Sequence, residues 1–290
     1  MKMRLSIGGK ILVYSTLIIV VILTLLPLAY TVSASFKPNS EIIDGSVNLI
    51  PKEPTLDNFK TVWGMSGSSI DTSVNYGTYT LNSIFVSSLT TVLSVLFSSM
   101  TAYCFGRGQF PGRKFLYRLF LGTMFISAGS ITVFPLLQIT TTLNMNNLIG
   151  VSILLFASGG ASRLFLYMGY LKTIPRELDD ASKIDGCSFF TTWLWIILPL
   201  SKPIMATIGL MAFQRSWNSY LMPKIMLVGK QKLTTLVVAV VNLQSSGGDG
   251  ATQYNLMMAG TMLAIAPIVT LFLLMNKSFV NGITAGAVKG

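Results

Sequence analysis

The chain has 290 residues, 51% of them hydrophobic and 11% charged, and a mean hydropathy of +0.64. A typical soluble domain carries about 25% charged residues, so the composition excludes an ordinary soluble enzyme and indicates a membrane protein. The net charge of +11 does not point to nucleic acid, because the basic residues are scattered beside apolar runs.

Histidine is absent, and the two cysteines, Cys104 and Cys187, have neither metal-ligand spacing nor a disulfide framework around them. No metal and no resident cofactor are expected.

A membrane span needs about 20 apolar residues. Six segments qualify, at about 11–33, 79–105, 115–138, 148–170, 201–222 and 256–276. The first follows Lys2, Arg4 and Lys10, as a signal peptide would. It is longer than a usual signal core and no small-x-small cleavage site closes it, so a retained helix is expected. The outer segment 34–78 is broken by Pro38, Pro51 and Pro54, and Thr55 is placed to cap a short helix carrying Phe59 and Trp63. It reads as a cap over the outer mouth.

The second span carries Ser83, Ser87 and Thr91, then Ser94, Ser98 and Ala102, a stripe of small residues that lets helices approach closely. Packing within the subunit is favoured over contact with a partner or a pathway wall. Arg163 and Arg215 fall inside the fourth and fifth spans, where a charge is costly and usually faces a bundle interior or water. With the N-terminus inside, Lys and Arg concentrate on the inner segments: Arg107, Arg113, Lys114, Lys172, Arg176, Lys183, Lys202 and Lys277. Both termini are then cytoplasmic and the protein is multi-pass in the cell membrane. The outer segment Pro223 to Asn255 includes Gly247-Gly248-Asp249-Gly250, and the glycines alone do not decide between a flexible turn and a loop that meets a partner.

The segment 174–203 lies between the fourth and fifth spans. Pro175 suits a first helical turn, and Glu177, Asp179 and Asp180 favour the positive end of a helix dipole. Gly186 follows Asp185 where a left-handed residue would end that helix. Ser188 can cap a second helix, which Pro199 ends or kinks. No Gly-x-x-x-x-Gly-Lys-Ser/Thr phosphate loop occurs, and no nucleophile–base set or catalytic carboxylate pair has a supporting context. The chain is not expected to be an enzyme.

This helix, turn and helix resembles the cytoplasmic loop of ABC importer permeases. Asp180, Ala181 and Ser182 stand where that family has Glu-Ala-Ala, Gly186 follows at the family's distance, and Ile196, Leu198 and Pro199 close the pattern. The ending from Phe279 to Gly290 resembles that of the carbohydrate, maltose-type branch, and Trp217-Asn218 resembles a segment of its fifth span.

The resemblance implies an all-α permease domain of six spans over 1–290, with a coupling helix in the loop 174–200. It implies import of a sugar or oligosaccharide, driven by ATP and Mg on a separate ATPase. The implied partners are a second permease, two ATPase subunits and an extracytoplasmic sugar-binding protein. Glu177, Asp179, Asp180, Ala181, Ser182, Asp185, Gly186, Leu198 and Pro199 would serve ATPase coupling. Thr284, Gly286, Lys289 and Gly290, in the tail 279–290, would touch the ATPases. Gln214, Arg215, Trp217, Asn218 and Tyr220 would line the sugar path, since aromatic faces with amide and guanidinium donors suit sugars.

Three rivals stand beside this reading. One is an ABC permease for a polyamine, glycerol phosphate or an anion. Another is an ion-coupled secondary transporter, which the lack of intramembrane acids disfavours. The third is a membrane scaffold that transports nothing.

Overall fold

The computed structural model describes residues 7–45, 48–64, 76–126, 133–243 and 253–287, with side chains as far as residue 274. Every regular element among them is helical. The helices are α1 (Ile7–Ser35), α2 (Asn39–Ile43), α3 (Asp57–Val62), α4 (Tyr76–Arg107), α5 (Arg113–Gly122), α6 (Val133–Thr142), α7 (Leu148–Ala157) and α8 (Gly160–Leu171). They continue as α9 (Glu177–Ile184), α10 (Phe189–Thr192), α11 (Leu198–Leu200), α12 (Lys202–Trp217), α13 (Leu221–Met226), α14 (Leu236–Leu243) and α15 (Tyr254–Ala287). A π-helical turn, Trp193–Ile197, joins α10 to α11. Contacts divide the chain into two compact units, Met1–Tyr76 with Ala239–Ala266, and Gly77–Val238 with Pro267–Gly290.

In the first unit α1 is apolar and exposed until Ser33, where burial begins. The outer segment is tied by polar groups. Lys37 is fully buried, pairs with Glu41 at 3.3 Å and donates to the Asn48 carbonyl at 2.6 Å. The Asn58 amide donates to the carbonyls of Ser35 and Lys37, and Asn255 donates to Asn58. Thr55 accepts from the Asp57 N–H at the start of α3, but the N-cap position is Leu56, one residue later than the sequence suggests, and no side chain caps it.

In the second unit α4 buries its small-residue stripe. Ser83, Ser87, Ser94, Ser98 and Ala102 are all buried. Ser83 accepts from the Leu236 N–H, and Thr90 links the Ser152 carbonyl to Ser216 of α12. Packing within this unit therefore accounts for the stripe.

Among the described residues three unbroken helices are long and apolar enough to cross a membrane: α1, α4 and the Tyr254–Leu274 part of α15. They overlap the segments expected as the first, second and sixth spans. The expected fourth span is instead a bent pair, α7 and α8 meeting at 58°. The expected fifth span begins at an 81° bend between Phe189–Leu200 and Lys202–Trp217 and ends at Trp217, before α13. The expected third span corresponds to the ten-residue helices α5 and α6, and residues 127–132 between them lie outside the described residues.

The fourth-span break has a local cause. Ser158 is extended and Gly159 is left-handed (φ +77°), a conformation that side chains disfavour. A Cβ on Gly159 would also collide with the Arg215 guanidinium.

Candidate functional site

Helix α9 starts at Glu177, two residues after Pro175, and carries Glu177, Asp179 and Asp180 in its first turn. Its end is a Schellman turn. The Cys187 N–H donates to the Ser182 carbonyl at 2.9 Å, the Gly186 N–H donates to Lys183 at 3.1 Å, and Gly186 has φ +77°. Ser188 then caps α10 by accepting from the Thr191 N–H at 3.1 Å. Pro199 does not end the second helix. The π turn ahead of it spaces the backbone around a residue that lacks an N–H, and the chain bends at Ser201 instead.

The two faces of α9 differ. Asp179 and Ser182 are buried, whereas Glu177, Asp180, Ala181 and Asp185 are exposed. Leu178 and Ile184 are also exposed, Ile184 to 87%. Asp180 pairs only with Lys183, at 3.0 Å, and that pair is open to solvent.

The buried face is an anchor. Asp179 Oδ2 lies 3.1 Å from Arg107 Nε, and Oδ1 accepts from the Tyr103 hydroxyl at 2.9 Å. Tyr103 and Arg107 belong to the last turns of α4. Arg107 also donates to the Ile174 carbonyl at 2.5 Å. Oδ1 is thus hydrogen-bonded, while Oδ2 is held by the charge of Arg107 without an aligned hydrogen bond. The Ser182 and Thr192 hydroxyls meet at 2.9 Å and join α9 to α10. Beneath them Tyr103, Leu164, Tyr167, Leu171, Trp193, Ile197 and Ile204 share one buried cluster, so the loop is packed onto the ends of α4, α8 and α12.

Two arginines sit at the fourth-span break. Arg163 is 8% exposed; it donates to the Ser158 carbonyl at 3.0 Å and to that of Phe156, and lies over the Phe156 ring. It satisfies carbonyls that the break would otherwise orphan. Arg215 approaches Gly159 from α12.

The model of one protein family, the binding-protein-dependent transport system inner membrane component, matches residues 61–284. The chain belongs to this family.

Its permease relatives are matched along nearly their whole length. The chain is 35% identical over 280 residues to the galactooligosaccharides transport system permease protein GanQ of Bacillus subtilis, covering 96% of this chain and 94% of GanQ. It is 33% identical over 266 residues to the arabinooligosaccharides permease AraQ of Halalkalibacterium halodurans, covering 91% of each. It is 30% identical over 277 residues to the sn-glycerol-3-phosphate permease UgpE of Pectobacterium atrosepticum, covering 95% and 96%. These relatives are transport permeases rather than enzymes. A chain in the crystal structure of a bacterial ABC transporter that imports the acidic polysaccharide alginate has the same fold. Its TM-score is 0.77 at 21% identity, covering 95% of this chain and 99% of that one.

Within this permease the expected coupling residues from Glu177 to Gly186 fall on one short helix and its turn, and Leu198 and Pro199 close the adjoining arm. The expected sugar-path residues do not form one surface. Trp217 is 1% exposed and stacks on Phe213 at 5.6 Å, whereas Gln214, Arg215 and Asn218 are exposed. Tyr220 is half-buried, with the Lys224 ammonium on its hydroxyl and over its ring. Thr284 and Gly286 lie on α15, while Lys289 and Gly290 lie outside the described residues.

Sequence reasoning missed Tyr103 and the partnership of Arg107. Arg107 entered only as a topological charge. A lone Arg at the end of a span, with a carboxylate in the following loop, was the available signal.

Proposed function

We propose that this chain is the permease subunit of an ATP-driven importer for a sugar or oligosaccharide. It has six spans, with α5 and α6 contributing the third, and both termini are cytoplasmic. The sugar assignment rests on the oligosaccharide relatives GanQ and AraQ. UgpE supports a second reading, a phosphorylated polyol.

In this reading α9 is the coupling helix. Its outer face, with Leu178, Ala181 and Ile184 between Glu177, Asp180 and Asp185, docks on a partner ATPase that holds ATP and Mg. Exposed apolar side chains on a short, charged helix suit such a contact. The carrying observation is the pairing of Asp179 with Arg107 and Tyr103. Through it, a push on α9 reaches α4 without passing along flexible chain. The same push passes through Ser182 and Thr192 into α10 and through the bend into α12.

A second permease completes the pathway, and an extracytoplasmic binding protein delivers the solute. Gln214, Arg215 and Asn218 are the sugar-path candidates that remain exposed, with Tyr220 beside them. The tail from Thr284 to Gly290 contacts the ATPases.

The test is a crosslinking scan in the assembled transporter. Cysteines at Leu178, Ala181 and Ile184 should capture the ATPase, and one at Ser182 should not. Capture from neither face overturns the docking assignment. Gly186→Ala forces a side chain into the left-handed turn at a cost of about 1 kcal/mol. It should leave the chain in the membrane yet lower uptake per ATP hydrolysed. Competition of labelled galacto- or arabino-oligosaccharide uptake by glycerol 3-phosphate separates the two solute readings.

A further inference from the structure

The last turn of α4, the last turn of α8 and the first turn of α5 come together in the second unit. Between them lies a cavity of about 280 Å³ lined by Arg107, Arg113, Lys114, Lys172 and Arg176 together with aromatic and apolar side chains. A wider recess of about 650 Å³ adjoins it and shares Arg107, Arg113, Lys114 and Arg176. Neither is lined by a carboxylate. Asp179 is already engaged by Arg107 and Tyr103. Among the described residues Arg113, Lys114, Lys172 and Arg176 form no ion pair.

The first turn of α5 sharpens the imbalance. It has no acidic residue and no side-chain cap, and its first two residues are Arg113 and Lys114. Cations at the positive end of a helix dipole are unfavourable by themselves. An anion in the recess would reverse the sign of that interaction and accept from first-turn N–H groups of α5 beyond Arg113, whose own N–H donates to the Phe110 carbonyl.

The rest of α5 indicates where the anion comes from. Phe115 and Leu119 are 69% and 59% exposed, and Arg118 is exposed beside them. Apolar side chains open to the surroundings next to basic ones, at the end of apolar spans, mark the boundary between acyl chains and headgroups.

We infer that this basic cavity binds the phosphate headgroup of an anionic phospholipid, with the acyl chains lying along the apolar face of α5. Lys114 and Lys172 supply charge, Arg113 adds planar donors, and the α5 N-terminus supplies backbone N–H groups. This inference rests on the membrane placement of α5 and not on the identity of the transported solute.

The test uses the assembled transporter in nanodiscs of phosphatidylcholine alone or mixed with phosphatidylglycerol. Native mass spectrometry of the lipid carried out of mixed discs should show phosphatidylglycerol enriched. Lys114→Gln with Lys172→Gln should cut that enrichment by up to about thirtyfold. Lys230→Gln with Lys232→Gln removes the same charge elsewhere and should leave it unchanged. In the unaltered protein, phosphatidylglycerol should protect Lys114 and Lys172, and not Lys232, from amine acetylation.

Equal enrichment in the two double variants, or equal labelling in both kinds of disc, overturns the site. Protection by inorganic phosphate in phosphatidylcholine discs that matches phosphatidylglycerol overturns the lipid as its source. Loss of sugar uptake with headgroup protection intact would count against the transport reading alone.

Discussion

Arg107 and Arg163 are buried to nearly the same degree, 10% and 8% exposed, and the chain satisfies them in opposite ways. Arg107 meets a carboxylate from another element, and the Asp179 pairing spans the end of α4 and the loop that follows α8. Arg163 meets carbonyls from just before its own helix, at Phe156 and Ser158. The first is a long-range tie between separate elements. The second is a local cap that holds a break open. Equal burial therefore does not imply an equal role.

The largest expected effect separates them directly. Asp179→Ala leaves Arg107 buried without its counter-charge, which costs about 3 to 5 kcal/mol. Denaturant or thermal unfolding of the assembled complex should show it. Arg107→Met together with Asp179→Leu should recover most of that stability while coupling stays impaired, because the tie is gone but no charge is stranded. Arg163→Met should cost less, about 1 to 3 kcal/mol, since it orphans neutral carbonyls. A loss as large as that of Asp179→Ala would show that Arg163 is more than a cap. The smallest effect belongs to Lys183→Ala, which breaks the solvent-exposed pair with Asp180. About 0.5 kcal/mol or less is expected by the same unfolding measurement.

The loop was legible because its signals are local. A run of acids, Asp185-Gly186 and Ser188 each act on the backbone within a turn of themselves, and the helix, turn and cap sit where those residues require, although Pro175 falls just ahead of the helix and not in its first turn. The sequence of α9 did not reveal which face turns inward, because Asp179 and Asp180 look alike until α4 supplies Tyr103 and Arg107.

The spans were legible by hydropathy where they are unbroken. Hydropathy is blind to direction, so the 58° and 81° bends were invisible to it. Both bends fall at small residues, Ser158-Gly159 and Ser201, that an apolar window averages away. The burial of Trp217 was hidden for a related reason. Its ring is spent on Phe213 and the interior, and only the surrounding polar residues stay open.

The right angle at Ser201 makes the arm Phe189–Leu200 and α12 a bell crank. At 1.5 Å per residue the short limb is about 18 Å and the long one about 24 Å. If both limbs stay stiff and pivot at the corner, a stroke of about 1 Å at the Phe189 end emerges as roughly 1.3 Å, turned through the same angle, at Trp217. Motion along the bilayer normal at the short limb would then be delivered parallel to the bilayer at the end of α12.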